Sequence, residues 1–222
     1  MTGSSAGALG ALYWTNYLQS MVKKPSIVST IADSGIFMNA KVHESGALKI
    51  QAEIINLFKV SNVDEHTPLN ICNAFYNGTE WKCLFVQYSY ASIEGRLLLI
   101  NSEYDSYAIP NILGINCLKA GKSGETLSSC TATEHKQIEK YREEYKSFIS
   151  QYLQFSKNNI WSIACSNHVY ACLDNFYDVN EQRVPGNIGN KVRDAIRKFV
   201  FDKTRIADID AEAWPANNPC AY

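Results

Sequence analysis

No apolar run in the 222-residue chain approaches the ~20 residues that cross a bilayer, which excludes a transmembrane helix. No long basic or acidic block interrupts the sequence, and the net charge is −1, so neither nucleic acid nor an anionic membrane is expected as a partner. No C-x-x-C pair occurs, and only His168 lies near a cysteine, which argues against a zinc cluster; no metal or cofactor is expected. Internal repeats and low-complexity segments are absent, and the amino terminus carries no signal-peptide pattern. What remains is an ordinary globular composition, 46% hydrophobic and 19% charged, long enough for one large domain with a real core.

The seven cysteines are more than a cytosolic hydrolase of this size needs. Cys72 and Cys83, and likewise Cys117 and Cys130, flank polar, loop-like segments, a setting that suits local disulfide staples. Cys165–Cys220 is the third candidate bridge, which leaves Cys172 as the odd thiol. Asn77-Gly78-Thr79 is an N-glycosylation sequon in a turn-like setting. Sequon and cysteines together predict a secreted or lumenal protein.

Hydrophobic spacing predicts helices over residues 6–22, 44–59, 135–155 and 191–202, and strands over 26–32, 97–100 and 160–164. In the third helix Ile138, Tyr141, Tyr145, Phe148, Tyr152 and Phe155 form the apolar stripe. Residues 61–83 and 114–134 read as loop-rich, disulfide-stapled insertions within a single domain spanning 1–222. Strands alternating with helices predict an α/β fold with a mostly parallel sheet, whose ligands bind beyond the carboxyl ends of the strands.

Ser5, Asp105 and His168 each follow a predicted strand, at that end. Gly3-Ser-Ser-Ala-Gly7 has the G-x-S-x-G form of a nucleophile elbow, in which a tight strand-to-helix turn exposes the serine. Ester hydrolysis at neutral pH needs a nucleophile, a base to take its proton, a carboxylate to orient the base and amides for the oxyanion. The order Ser5, Asp105, His168 is that of α/β-hydrolases, and the amide of Ala6 is the expected oxyanion donor. Of the other histidines, His43 and His66 precede the acid and His135 starts a helix. Each assignment has a rival: a plain glycine-rich turn for Ser5, Glu103 for Asp105, a surface imidazole for His168. Cys165, three residues before His168, is the alternative nucleophile of a thiol protease.

Five ordered segments resemble the pectin acetylesterase and Notum family of secreted carboxylesterases. These are Thr2-Gly-Ser-Ser-Ala-Gly-Ala8, Ile31-Ala-Asp-Ser-Gly-Ile-Phe37, Cys72…Trp81-Lys-Cys83, Leu99-Ile-Asn-Ser-Glu-Tyr-Asp-Ser-Tyr107 and Ala164-Cys-Ser-Asn-His168. The family pattern has a second glycine where this chain has Ala8, and often a tryptophan where it has Tyr107. The resemblance implies an α/β-hydrolase-like sheet flanked by helices, with Ser5 as nucleophile, Asp105 as acid and His168 as base. Asp33 and Phe37 are candidates for the pocket. It also implies strands before the elbow, with a glycine-rich loop giving further oxyanion amides, so the chain is expected to lack its N-terminal strands and a signal peptide with them.

Two readings of different class follow. The first is a serine carboxylesterase, a monomer at full length, cleaving acetyl groups from polysaccharide or a fatty acyl group from protein or lipid. The second is a catalytically inactive, truncated hydrolase-like chain acting as a binding or structural protein, since losing one oxyanion donor costs roughly 10²–10³ in rate.

Overall fold

The computed structural model describes residues 1–62, 68–117, 127–171 and 191–214. Its strands are β1 (Thr2–Ser4), β2 (Ser29–Asp33), β3 (Arg96–Ser102), β4 (Asn158–Ile163) and β5 (Ala207–Ile209). They form one sheet in the order β1-β2-β3-β4-β5, every neighbouring pair parallel. Between them run α1 (Ala6–Met21), α2 (Lys49–Val60), α3 (Asn70–Phe75), α4 (Val86–Ser89), α5 (Ala108–Asn111), α6 (Ala132–Tyr152) and α7 (Val192–Arg197), the last continuing as a π turn over Lys198–Asp202. The mostly parallel sheet flanked by helices is the architecture the sequence predicts.

The apolar run of β3 explains why it lies at the centre. Leu97 and Leu99 pack into one core with Ala8 and Leu12 of α1 and Tyr141 and Tyr145 of α6. Leu98 and Ile100, on the opposite face, join Trp161, Ile163 and, from α7 and its π turn, Val192, Ala195 and Phe199. A strand buried on both faces reads as a continuous hydrophobic run, because neither set of alternating side chains meets water.

The helix predicted over 44–59 begins later, at Lys49. Gly46 sits before it at φ 65°, a turn conformation that interrupts helical geometry. In α6 the predicted stripe is buried from Ile138 to Tyr152, whereas Phe155 lies beyond the helix end and is half-exposed. Thr131 starts α6 with a capping box: its Oγ1 accepts the Glu134 amide and the Glu134 carboxylate accepts the Thr131 amide. The predicted last helix is cut by the π turn and closed by Lys203 at φ 53°. Strand β5 has no counterpart among the predicted elements; at three residues, with the buried acids Asp208 and Asp210 in and beside it, it lacks an apolar run.

Cys72–Cys83 and Cys117–Cys130 are disulfide-bonded, as their spacing predicts. The first staples a segment that holds α3 and a 3₁₀ turn, Glu80–Leu84, with Asn77 exposed between them. Cys165 is buried and disulfide-bonded. Its expected partner Cys220 lies outside the described residues, as do Cys172 and His66.

Candidate active site

The elbow is built from small residues because the chain approaches itself there. A Cβ placed on Gly3 would lie 2.1 Å from the Gly7 carbonyl oxygen, so only glycine fits at that position. Between them Ser5 holds φ 54° and ψ −123°, a conformation that L-residues rarely occupy. Its amide is anchored to the Asp33 carbonyl at 2.8 Å. Ala8, where the resemblance expects a second glycine, is fully buried against Gly35, and a Cβ on Gly35 would meet that of Ala8 at 2.7 Å. The extra methyl of Ala8 is therefore accommodated by the glycine across from it.

The three side chains picked out by chain order meet in one line of hydrogen bonds. His168 Nε2 lies 2.8 Å from Ser5 Oγ. Its Nδ1 lies 2.8 Å and 3.0 Å from the two carboxylate oxygens of Asp105. An ionised carboxylate only accepts, so Nδ1 carries the imidazole proton and Nε2 is left to accept from the serine hydroxyl. Asp105 is fixed in turn by the amides of Tyr107 and Ala108, at 2.8 Å and 3.0 Å, as α5 begins. The Ser106 amide donates to the Asn167 carbonyl at 3.2 Å, which ties the acid loop to the histidine loop. Tyr107 stacks on the imidazole, with ring centroids 5.3 Å apart and planes at 29°. Phe37 stands edge-on to Tyr107 and 6.3 Å from His168; it is buried and backs these two rings.

Ala6 is the first residue of the 16-residue α1, and its side is exposed. Amides of a helix's first turn have no intrahelical acceptor, and the helix dipole adds positive potential there. An oxyanion forming beside Ser5 is favoured by both.

The rival groups are engaged elsewhere. Glu103 is buried and accepts from Arg142 Nε at 2.7 Å, with Ser162 Oγ at 3.4 Å from its other oxygen. Burial pushes its carboxyl above the ordinary value, against the opposing pull of Arg142 and Lys146. The disulfide on Cys165 removes the thiolate that a thiol protease would need. His135 is exposed on α6, and the amide of His43 donates to the Leu113 carbonyl at 2.7 Å. Asp33 is only 1% exposed and faces inward: its carboxylate accepts the amides of Tyr170, at 2.9 Å and 3.0 Å, and Ala171, at 2.8 Å. Burial raises its pKa, opposed by these amides. No signal in the sequence distinguishes such an inward-facing acid from one lining a pocket. Among the described residues no group of acids, histidines and cysteines could hold a metal ion.

The sequence profile of the pectinacetylesterase family matches residues 1–221. The chain belongs to this family. Among its relatives, pectin acetylesterase 11 of Arabidopsis thaliana is 21% identical over 224 residues, covering 99% of this chain and 56% of that protein. Pectin acetylesterase 7 of the same plant is 20% identical over the same shares of both chains. The Wnt deacylase Notum from Drosophila superposes with a TM-score of 0.75 at 14% identity, over 100% of this chain and 57% of its own. At that identity the likeness is one of fold: an α/β-hydrolase-like, parallel sheet flanked by helices. This pectinacetylesterase-family chain thus spans about half the length of the curated relatives it matches.

Proposed function

We propose that the chain carries the catalytic triad of a serine carboxylesterase of the pectin acetylesterase and Notum type. The observation that carries this reading is the unbroken line from Ser5 Oγ through His168 to Asp105, with both key contacts at 2.8 Å. Ser5 Oγ attacks the carbonyl carbon of an acyl ester while His168 Nε2 takes its proton. The carbonyl π electrons move to oxygen, and the Ala6 amide stabilises that oxyanion. Collapse expels the alcohol, which receives the proton from His168 and leaves an acyl-serine. Water, deprotonated by the same nitrogen, then attacks the acyl group; the bond to Ser5 Oγ breaks, His168 returns the proton to that oxygen, and the acid is released. Asp105 keeps the imidazole in the required tautomer and stabilises its cation. The chemistry calls for no metal or cofactor.

The relatives' names span acetyl esters of pectin and deacylation of Wnt, and the substrate class proposed here is an acyl ester within that range. The disulfides, and Asn77 exposed within its sequon, support a secreted glycoprotein. The geometry favours this reading over a catalytically inactive, binding-only chain, because a relic has no need to keep Ser5 in its unusual backbone conformation. The test is fluorophosphonate labelling and p-nitrophenyl acetate hydrolysis by the native protein beside Ser5→Ala. Labelling and hydrolysis that both vanish in the variant are expected; an unlabelled wild type would sink the proposal.

A further inference from the structure

The Asp33-Ser34 dipeptide touches all three triad-bearing segments. Through its backbone, the Asp33 carbonyl accepts the Ser5 amide at 2.8 Å, and the Ser34 amide donates to the Ile100 carbonyl on β3, the strand leading to Asp105, at 2.6 Å. Through its side chains it holds the loop after His168. The Asp33 carboxylate accepts the Tyr170 and Ala171 amides at 2.8 to 3.0 Å. Ser34 Oγ accepts the Val169 amide at 2.8 Å and reaches Asp33 Oδ1 at 3.3 Å. Three consecutive amides, immediately after the catalytic histidine, therefore end on two adjacent side chains of another strand end.

That loop needs holding. Val169 lies at φ 69°, where a β-branched residue is strongly disfavoured. Left to its own preference it would rotate out of this region, and the neighbouring His168 would swing with it. Ser34 itself sits at φ 53°, so the anchor is also in an unusual conformation. Two such residues joined by a partly buried hydrogen bond persist only when their surroundings fix them.

We infer that Asp33 and Ser34 are positioning residues of the triad, which pin the strained Val169–Ala171 turn so that His168 reaches Ser5 and Asp105 together. The inference rests on the esterase reading. Neither side chain is hydrogen-bonded to the nucleophile's hydroxyl or the imidazole; both hold the loop, and the Asp33 carboxylate is in addition close enough to His168 to feel its charge.

The experiment measures, on the native protein, the rate constant of fluorophosphonate labelling at Ser5, kcat and KM for p-nitrophenyl acetate, and the melting temperature. Asp33→Ala is expected to lower kcat and the labelling rate about 10²-fold with KM unchanged, since small displacements of a catalytic group cost that much. Ser34→Ala, the milder change, should lower them roughly tenfold, and it carries the test alone if Asp33→Ala fails to fold. The discriminating variant is Val169→Gly. Glycine occupies positive φ freely, so it should recover most of the rate lost in Ser34→Ala and none of that lost in His168→Ala. A merely structural anchor would lower the melting temperature while folded molecules labelled at the wild-type rate, and that result overturns the inference, as does the absence of recovery by Val169→Gly. If the wild type itself is not labelled, the esterase reading fails and takes this inference with it; wild-type rates in both anchor variants would defeat the inference alone.

Discussion

The carboxyl ends of the strands and the layer between α6 and β4 are assembled by different means. At the strand ends Ser5, Ser34 and Val169 hold φ of 54°, 53° and 69°, and the decisive contacts join residues as far apart in sequence as His168 and Ser5. Helix α6 has none of this strain. It is capped by its own Thr131 and Glu134, its apolar stripe repeats with helical period, and Tyr145 and Tyr152 meet Ser162 and the Asn159 carbonyl of β4 at 2.9 Å and 3.0 Å. One short stretch after β3 serves both regions: Glu103 points to Arg142 of α6, and two residues later Asp105 points to His168. Two carboxylates so close in sequence thus meet different partners, one in an ion pair with α6 and one at the histidine of the proposed triad, because their side chains leave the strand end in different directions.

Exchanging each acid for its amide would test that separation most severely. Asp105→Asn presents an amide to His168 Nδ1 and favours the tautomer in which Nε2 carries the proton and cannot accept from Ser5. The expected loss is about 10⁴-fold in kcat, at nearly unchanged stability. Glu103→Gln should leave the rate per folded molecule within a few-fold of wild type. Measured side by side on p-nitrophenyl acetate, similar losses in the two variants would mean that Glu103 and Asp105 share the role.

Removing the partner of Glu103 should show the opposite pattern, a large effect on stability with little on rate. Arg142→Ala leaves a fully buried carboxylate with Ser162 Oγ at 3.4 Å and, as its remaining cation, Lys146 at 3.9 Å, and the expected cost at neutral pH is about 3 kcal/mol. The pH dependence has a definite sign. Burial already holds the folded pKa of Glu103 above its ordinary 4.5, so the stability it contributes is present below that value and is lost as pH rises through the folded pKa. Without the guanidinium that opposes this shift, the folded pKa rises further. The penalty of Arg142→Ala is therefore expected to be largest at neutral pH and to shrink on acidification below 4.5, where Glu103 is neutral in folded and unfolded chains alike. Urea denaturation of both proteins across that range would show it; a penalty independent of pH would assign the loss to packing of the arginine stem.

This division also explains what the sequence made legible. Chain order and strand-end placement picked out Ser5, Asp105 and His168, whose side chains meet, as the proposed triad, and the recurrence of Ile138, Tyr141, Tyr145, Phe148 and Tyr152 picked out α6. Both are signals carried by residue type and spacing. The orientation of Asp33 was not legible, because its amide partners at Tyr170 and Ala171 lie 137 and 138 residues away and donate from the backbone, which any residue could supply. Positive φ at Val169 was hidden for a related reason: valine is a residue that composition assigns to strands, and only tertiary contacts hold it elsewhere. Strand β5 escaped because Asp208 and Asp210 are buried through polar contacts, such as the Ala164 amide on Asp210 at 3.2 Å, and not through hydrophobicity.

The smallest expected effect lies at the start of α6 and sharpens the comparison from the stable side. Thr131 Oγ1 accepts the Glu134 amide at 3.3 Å, so Thr131→Ala leaves one first-turn donor of a 21-residue helix to water. Loss of such a cap costs about 1 kcal/mol, which for a chain of this size lowers the melting temperature by roughly 2–4 °C. The Thr131 amide can still donate to the Glu134 carboxylate at 2.8 Å, which keeps half of the box and holds the loss near that figure. Because Thr131 is exposed and its side chain engages Glu134 rather than a residue of the proposed triad, the esterase rate of folded molecules should not change. Thermal melts and initial rates on the same preparation decide the matter. A rate that falls with the melting temperature would mean that strain at the strand ends is balanced directly against the tightness of α6, and the two regions would then have to be treated as one.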